Sequence, residues 1–210
     1  MPAGYSLFFR TMALRVGEHG YLSIVEEASV PESPLAPQFT YQVPQVPGGK
    51  IAVMLAATGA AGEVSMASLV LDPGASGVSV ALPVAVTLVQ PPADAVDVMP
   101  GALFQWTPSS GGVYVLTLIS HHGMSPLPQA VIVTADTSFA KPPTPYESCG
   151  LPCGSGPFTW GVSVMTLHPN VDAAAGGPVD LGYSSAAAFD ADQGISTSTF
   201  RAFSTASTPP

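Results

Sequence analysis

The stretch that most constrains the fold is residues 102–120, ALFQWTPSSGGVYVLTLIS. Phe104 and Trp106 are two residues apart, so on a strand both side chains point to the same face. Pro108 cannot donate a ladder hydrogen bond and ends this run, and the serines and glycines after it favour a turn. The second run, from Tyr114 onward, is rich in β-branched and aromatic residues. The pattern predicts a β-hairpin.

The rest of the chain favours short strands in the same way. With 23 prolines and 21 glycines among 210 residues, long helices have no room, and only 9% of residues are charged, too few for the ion-paired faces of soluble helices. Further strands are predicted at 5–9, 21–25, 38–43, 51–57, Val64–Leu71, 78–88, 130–133, 137–139, 158–167 and 199–203. Residues 51–62 could instead form one short helix. The predicted fold class is all-β.

Residues 90–101, QPPADAVDVMPG, contain three prolines and two acids and show no strong periodicity. We interpret this segment as a domain boundary near Pro92. The chain is then two consecutive antiparallel β-sandwich domains, residues 1–92 and residues 93–207. The closing STASTPP is typical of an outgoing linker.

The formal net charge is −9, and the five basic residues are scattered along the chain. Nucleic acid and anionic membranes require clustered Lys and Arg, so neither is an expected partner. The longest apolar runs, 51–62 and 78–89, are shorter than the ~20 residues of a spanning helix, so no membrane span is expected. The N-terminus lacks the early basic region of a signal peptide. Because the composition is typical of extracellular chains, we interpret Met1 as not the natural start and expect an extracellular or cell-surface protein.

The only two cysteines, Cys149 and Cys153, are separated by three residues. A disulfide that closes a small surface loop is the favoured interpretation and suits an oxidising compartment. A redox motif normally has two intervening residues. A structural zinc site would need two further ligands, and no cysteine remains to supply them.

Asp190 and Asp192, followed by Gly194, resemble the start of a calcium-binding loop, in which alternating oxygen ligands and a glycine surround the ion. A third acidic position and the later glutamate are missing, so a plain turn is the favoured interpretation. Calcium is the only cofactor hypothesis. His121, His122 and His168 are interpreted as loop histidines rather than as a metal site, because neighbouring strand residues face opposite ways.

No motif for catalysis is present: the chain has no nucleophile elbow, HExxH, phosphate-binding loop or dinucleotide fingerprint. Glu26 and Glu27 are consecutive and would point apart on a strand, which makes them a poor acid–base pair. Trp106 and Trp160 could stack on a sugar if they were exposed, but their place on alternating strands favours the core. We expect no enzymatic activity.

From about Pro92 to Ala206 the chain resembles the fibronectin type III-like (immunoglobulin-like) domains of bacterial extracellular proteins. The residues that carry the resemblance are FQWTP at 104–108, YVLTL at 114–118, GPFTWGVSV at 156–164 and FRAFST at 200–205. The resemblance implies a β-sandwich in which these aromatic strands pack across two sheets. Two departures are the long cysteine-containing loop before Phe158 and the segment 170–198, whose first part, 170–182, is predicted to be a loop. The N-terminal half is predicted to be a second β-sandwich of unassigned family.

The resemblance implies a binding, spacing or adhesion role and supplies no catalytic residues. We therefore expect a non-catalytic extracellular interaction or spacer module of a bacterial surface or secreted protein, monomeric within a longer chain, with a protein or polysaccharide partner. The alternative is an accessory, carbohydrate-binding module of a larger secreted hydrolase. Exposed aromatics on one sheet face would favour this alternative, and burial of Trp106 and Trp160 would count against it.

Overall fold

The computed structural model describes residues 1–16, 21–29, 35–43, 46–99, 101–109, 112–121, 127–140, 156–166, 170–176 and 193–205. These residues are mostly β-strands, so the predicted all-β class is confirmed. The strands are β1 (Ser6–Val16), β2 (Tyr21–Ser29), β3 (Gly49–Thr58), β4 (Val64–Leu71), β5 (Leu88–Gln90), β6 (Ala95–Val98), β7 (Leu103–Trp106), β8 (Val113–Ser120), β9 (Leu127–Thr134), β10 (Ser138–Ala140), β11 (Pro157–Met165), β12 (Gln193–Thr197) and β13 (Arg201–Thr205). Among the described residues there is one short helix, α1, which spans Val171–Gly176.

Contacts divide the chain into two compact units. Unit 1 comprises Met1–Val84 and Pro178–Ser196, and unit 2 comprises Ala85–Gly177 and Thr197–Pro210. The chain therefore leaves unit 1 for unit 2 and returns to it once before the C-terminal strand. The boundary near Pro92 stays a prediction from the sequence.

Unit 1 is built on a sheet with the strand order β2–β1–β3–β4–β12. The long strand β1 pairs antiparallel with both β2 and β3, and β3 pairs antiparallel with β4. Nearly every side chain of β3 is buried, which explains its continuous apolar run. The helix alternative for residues 51–62 is therefore wrong: this run is a central strand.

The predicted strand at 38–43 is not a strand in the structure. Its alternation is nevertheless expressed as burial, because Phe39, Tyr41 and Val43 are half-buried against the core of unit 1 while the polar residues between them are exposed. Alternation reports which face is covered, whereas a strand also needs a neighbour to complete a hydrogen-bonded ladder. Prolines on both sides of the segment, Pro37 and Pro44, limit such pairing.

Residues 78–88 alternate in burial only in part, because Leu82, Val86 and Leu88 are buried whereas Val78 and Val84 are exposed. Only Leu88 belongs to a strand. Two fully buried serines hold this segment in unit 1. The Ser65 hydroxyl donates to the Pro83 carbonyl at 2.6 Å, and the Ser196 hydroxyl donates to the Val84 carbonyl at 3.1 Å. Side-chain hydroxyls therefore bind main-chain carbonyls here in place of a strand ladder.

Unit 2 contains two sheets. One has the order β10–β7–β5, and the other has the order β9–β8–β11–β13–β6, in which β6 runs parallel to β13 and the other pairs are antiparallel. Both sheets contribute to a single β-sandwich-like core, formed by Val86, Leu88, Val98, Phe104, Trp106, Tyr114, Leu116, Leu118, Phe158, Trp160, Val162, Val164 and Phe203.

The predicted hairpin at 102–120 is wrong in its pairing, although both strands exist. β7 pairs with β10 and β5, whereas β8 pairs with β11 and β9. The chain thus passes from one sheet to the other between β7 and β8. Trp106 and Tyr114 meet inside the core with ring centroids 5.7 Å apart. A hairpin and an arch between sheets share the same local pattern, since partner choice depends on strands that are distant in sequence.

Strands β8 and β11 are buried on both faces, unlike strands of a sandwich with one solvated face. The ring of Phe200 lies against Gly161 of β11, and α1 contacts β9. The helix begins after Asn170, whose Oδ1 accepts a hydrogen bond from the Ala173 N–H at 2.9 Å. The loop predicted at 170–182 is therefore wrong for Val171–Gly176.

Candidate interaction surface

Both tryptophans are core residues. Trp106 is 2% exposed and Trp160 is 0% exposed. Trp160 packs edge-on against Phe104 with centroids 5.2 Å apart and an interplanar angle of 80°. Neither indole offers a face on which a sugar could stack, so the interpretation of both as core anchors is confirmed.

The segment with the most exposed apolar side chains is β6 and the residue after it. Its inward side chains are anchored: Val98 is buried in the core of unit 2, and Ala95 packs against that core. Ala95 is paired with Phe203 and Val98 with Thr205 in the parallel ladder to β13. The backbone of this edge strand is therefore held by both packing and pairing.

The register to β13 shifts between these two pairs, which leaves Val96 and Asp97 as a bulge. Val96 is 73% exposed and Met99 is 60% exposed, the highest fractions among the large apolar side chains of the described residues. Asp94 and Asp97 have φ angles of 59° and 53°, in the left-handed region that Asp tolerates better than most residues. Both aspartates are exposed. We call Asp94, Val96, Asp97 and Met99 together the β6 surface.

Hydrogen bonds from β13 fix the chain just before this surface. The Asp94 N–H donates to the Ala202 carbonyl at 2.9 Å. Arg201 Nη1 donates to the carbonyls of Val89 at 3.3 Å and Pro91 at 3.4 Å. Because its base is ordered in this way, the β6 surface can present its side chains to a partner with little loss of backbone freedom on binding.

The chemistry of the β6 surface suits contact and not reaction. It carries two carboxylates and two apolar side chains, and it has no nucleophile or general base paired with an orienting group. Exposed apolar side chains with polar residues at their rim can mark protein interaction sites. We therefore treat it as the candidate functional site.

The site residues predicted from sequence fall mainly outside the described residues. This applies to Cys149 and Cys153, to Asp190 and Asp192, and to His122 and His168, so the disulfide and the calcium hypothesis stay predictions. Glu26 and Glu27 lie on β2, opposite Met12 and Thr11 of β1. His121 is exposed, and its Nε2 lies 3.0 Å from the Thr159 hydroxyl.

Sequence reasoning did not single out the β6 surface, because residues 90–101 show no period-2 alternation. The bulge explains this: it inserts an extra residue into the strand and interrupts the alternation. The available signal was Val96 and Met99, two large apolar residues within an acidic, proline-rich segment.

Comparison with protein-family models and with curated proteins gives no match for this chain. Within the described ranges, no group of three or more His, Cys, Asp or Glu residues is placed to hold a metal ion. The same part of the chain has no helix with the length and apolar character of a membrane span.

Proposed function

We propose that this protein is a non-catalytic interaction or spacer module of a bacterial surface or secreted protein, acting outside the cell. In this role the folded strands supply a scaffold, and the exposed side chains on its surface supply the contacts. Partner recognition then needs only complementary shape and charge, without any reacting group.

The observation that carries the proposal is the way the chain alternates between the two sheets of unit 2. It passes from β7 in one sheet to β8 in the other, returns for β10, and crosses again for β11 and β13. Such crossings distinguish immunoglobulin-type sandwiches from stacked hairpins. They support the fibronectin type III-like resemblance, whose implied role is binding, spacing or adhesion.

The burial of Trp106 and Trp160 argues against the alternative function, a carbohydrate-binding accessory module. Such a module stacks sugars on exposed aromatic rings, and here the two largest rings serve the core. The interaction or spacer role is therefore the better-supported proposal.

A thermal melt of the purified chain with a panel of soluble polysaccharides tests this proposal. A ligand that binds only the folded state raises the midpoint of the melt. At a ligand concentration a hundredfold above Kd it adds about 2.7 kcal/mol to the free energy of unfolding. We expect no shift with any polysaccharide. A reproducible shift that saturates with polysaccharide concentration would place the accessory-module function first.

Parallel melts with EDTA and with millimolar calcium address the calcium hypothesis. Because a plain turn is the favoured interpretation of Asp190 and Asp192, we expect the two midpoints to agree. A calcium-dependent rise that Asp190→Ala abolishes would instead establish a calcium site there.

A further inference from the structure

The β6 surface has the most exposed apolar side chain on the described sheet edges of unit 2: Val96 is 73% exposed, compared with 42% for Val89 of β5 and 41% for Val131 of β9. The three-stranded sheet ends in β5 and β10, which are only three residues long. β6 is four residues long and carries a bulge, so it is a poor template for adding another strand. A partner would therefore contact the exposed side chains of β6 and would not add a strand to its backbone.

The apolar and charged groups of this surface are closely placed along the chain. Val96 and Met99 lie three residues apart and are mostly exposed, while Asp94 and Asp97 precede each of them by two residues. Exposing large apolar side chains is unfavourable unless a partner covers them. The two carboxylates next to them select the charge of that partner.

A second copy of the chain is disfavoured as the occupant. A two-fold contact through this surface would bring Asp94 and Asp97 against their own equivalents, and the whole chain carries a net charge of −9. A partner with a basic surface would instead be attracted both by the two aspartates and by the net negative charge of the chain. Resting on the proposed interaction function, we propose that the β6 surface docks a protein partner that presents an apolar centre with a basic rim.

The size of the β6 surface limits the affinity expected for a partner. Four side chains cover much less than the about 800 Å² per partner of a standard interface. Binding through this surface alone is therefore weak and fast to dissociate. Since the acids are exposed, their contribution falls as salt is added.

The test is an NMR titration of the isotope-labelled full chain with the synthetic peptide KLKLKLK, which combines a basic and an apolar face. At about 50 mM NaCl we expect shift changes concentrated at residues 94–99, with at least about a fivefold loss of affinity at about 300 mM NaCl. ELELELE, with the charge reversed, is the control peptide. Spread of the changes over all acidic residues would overturn the proposal.

Two double variants separate the contribution of the carboxylates to binding from that of the apolar side chains. Asp94→Asn with Asp97→Asn removes both charges while keeping a residue that tolerates positive φ, and we expect about a tenfold loss of affinity and a flatter salt dependence. Val96→Ser with Met99→Ser is expected to abolish binding while leaving the charges in place. Val84→Ser is the matched control, because Val84 is 53% exposed and lies in unit 1.

Unchanged binding in both double variants would overturn the β6 surface, as would a concentration-dependent dimer that Val96→Ser dissolves. Neither result would touch the proposed interaction function, which depends on the polysaccharide melts. A polysaccharide shift would place the accessory-module function first, regardless of the peptide result.

Discussion

At the scale of single residues, this protein depends on a few close contacts that its regular pattern does not reveal. Gly161 of β11 is buried, and a methyl group at its Cα would lie 3.0 Å from two ring carbons of Phe200. Glycine leaves room here for an aromatic ring that covers the strand, as aromatic side chains do for other strand glycines. Phe200 is 45% exposed, so the ring has some freedom to move.

We therefore expect Gly161→Ala to destabilise the fold by about 1–2 kcal/mol through overpacking. Urea unfolding followed by circular dichroism measures this. With Phe200→Ala as background the same substitution should become neutral or stabilising, because the clash is gone and alanine costs less backbone entropy. An equal cost in both backgrounds would exclude the ring as the cause.

Tyr114 is a second single-residue dependence. Its hydroxyl accepts from the Ser109 N–H at 2.9 Å and donates to the Ser109 carbonyl at 3.2 Å, which closes the arch between β7 and β8. We expect Tyr114→Phe to cost about 1–2 kcal/mol in the free energy of unfolding. Ser109→Ala is the matched control, since it keeps both main-chain partners and should cost clearly less. A larger cost for Ser109→Ala would contradict this account.

At the scale of elements, β11 is held by side-chain as well as main-chain hydrogen bonds. It pairs with β13 over residues 157–160. Beyond that pairing, β11 forms hydrogen bonds with the segment just before β13. The Val162 N–H donates to the Ser198 hydroxyl at 3.0 Å, and the Ser198 N–H donates to the Val162 carbonyl at 3.0 Å. Ser198, just before β13, thus contributes hydrogen bonds to β11 of the larger sheet.

We expect Ser198→Ala to cost about 1–3 kcal/mol, because it leaves the buried Val162 N–H without an acceptor. Chemical denaturation gives the cost, and amide hydrogen exchange at Val162 should accelerate. Ser163→Ala is the comparison: its hydroxyl pairs with the half-buried Thr197 hydroxyl at 2.9 Å, which can turn to water. Ser163→Ala should therefore cost less. Equal costs would mean that the main-chain bond is not decisive.

At the scale of the whole molecule, both tryptophans report on the core of unit 2. We expect native fluorescence emission at a shorter wavelength than that of the unfolded chain, and weak quenching by acrylamide, because both indoles are buried. Quenching in guanidinium chloride is the reference for full exposure. Strong quenching of the native chain, or protection by a polysaccharide, would show that a tryptophan is accessible and would favour the carbohydrate-binding alternative.

Much of the strand content could be predicted from local pattern. The predicted strand Val64–Leu71 has the same first and last residues as β4. The turn predicted at Asp72, Pro73 and Gly74 is also present. Gly74 has a φ of 85°, and the Ala75 N–H donates to the Asp72 carbonyl at 3.2 Å. These features depend on neighbouring residues, because proline presets φ and glycine accepts positive φ. The β6 surface could not be predicted in this way, since its bulge arises from pairing with β13, about a hundred residues later.

The sequence by itself determined the all-β class and the alternation that places Phe158, Trp160, Val162 and Val164 in the core. Period-2 burial and the conformational limits of proline and glycine act within a few residues, so they can be read locally. Only the tertiary structure decided that β7 and β8 lie in different sheets and that residues 38–43 stay outside any ladder. It also decided that Val96 is pushed outward. Each of these depends on which distant strand supplies the hydrogen-bond partners, and local patterns carry no information about that choice.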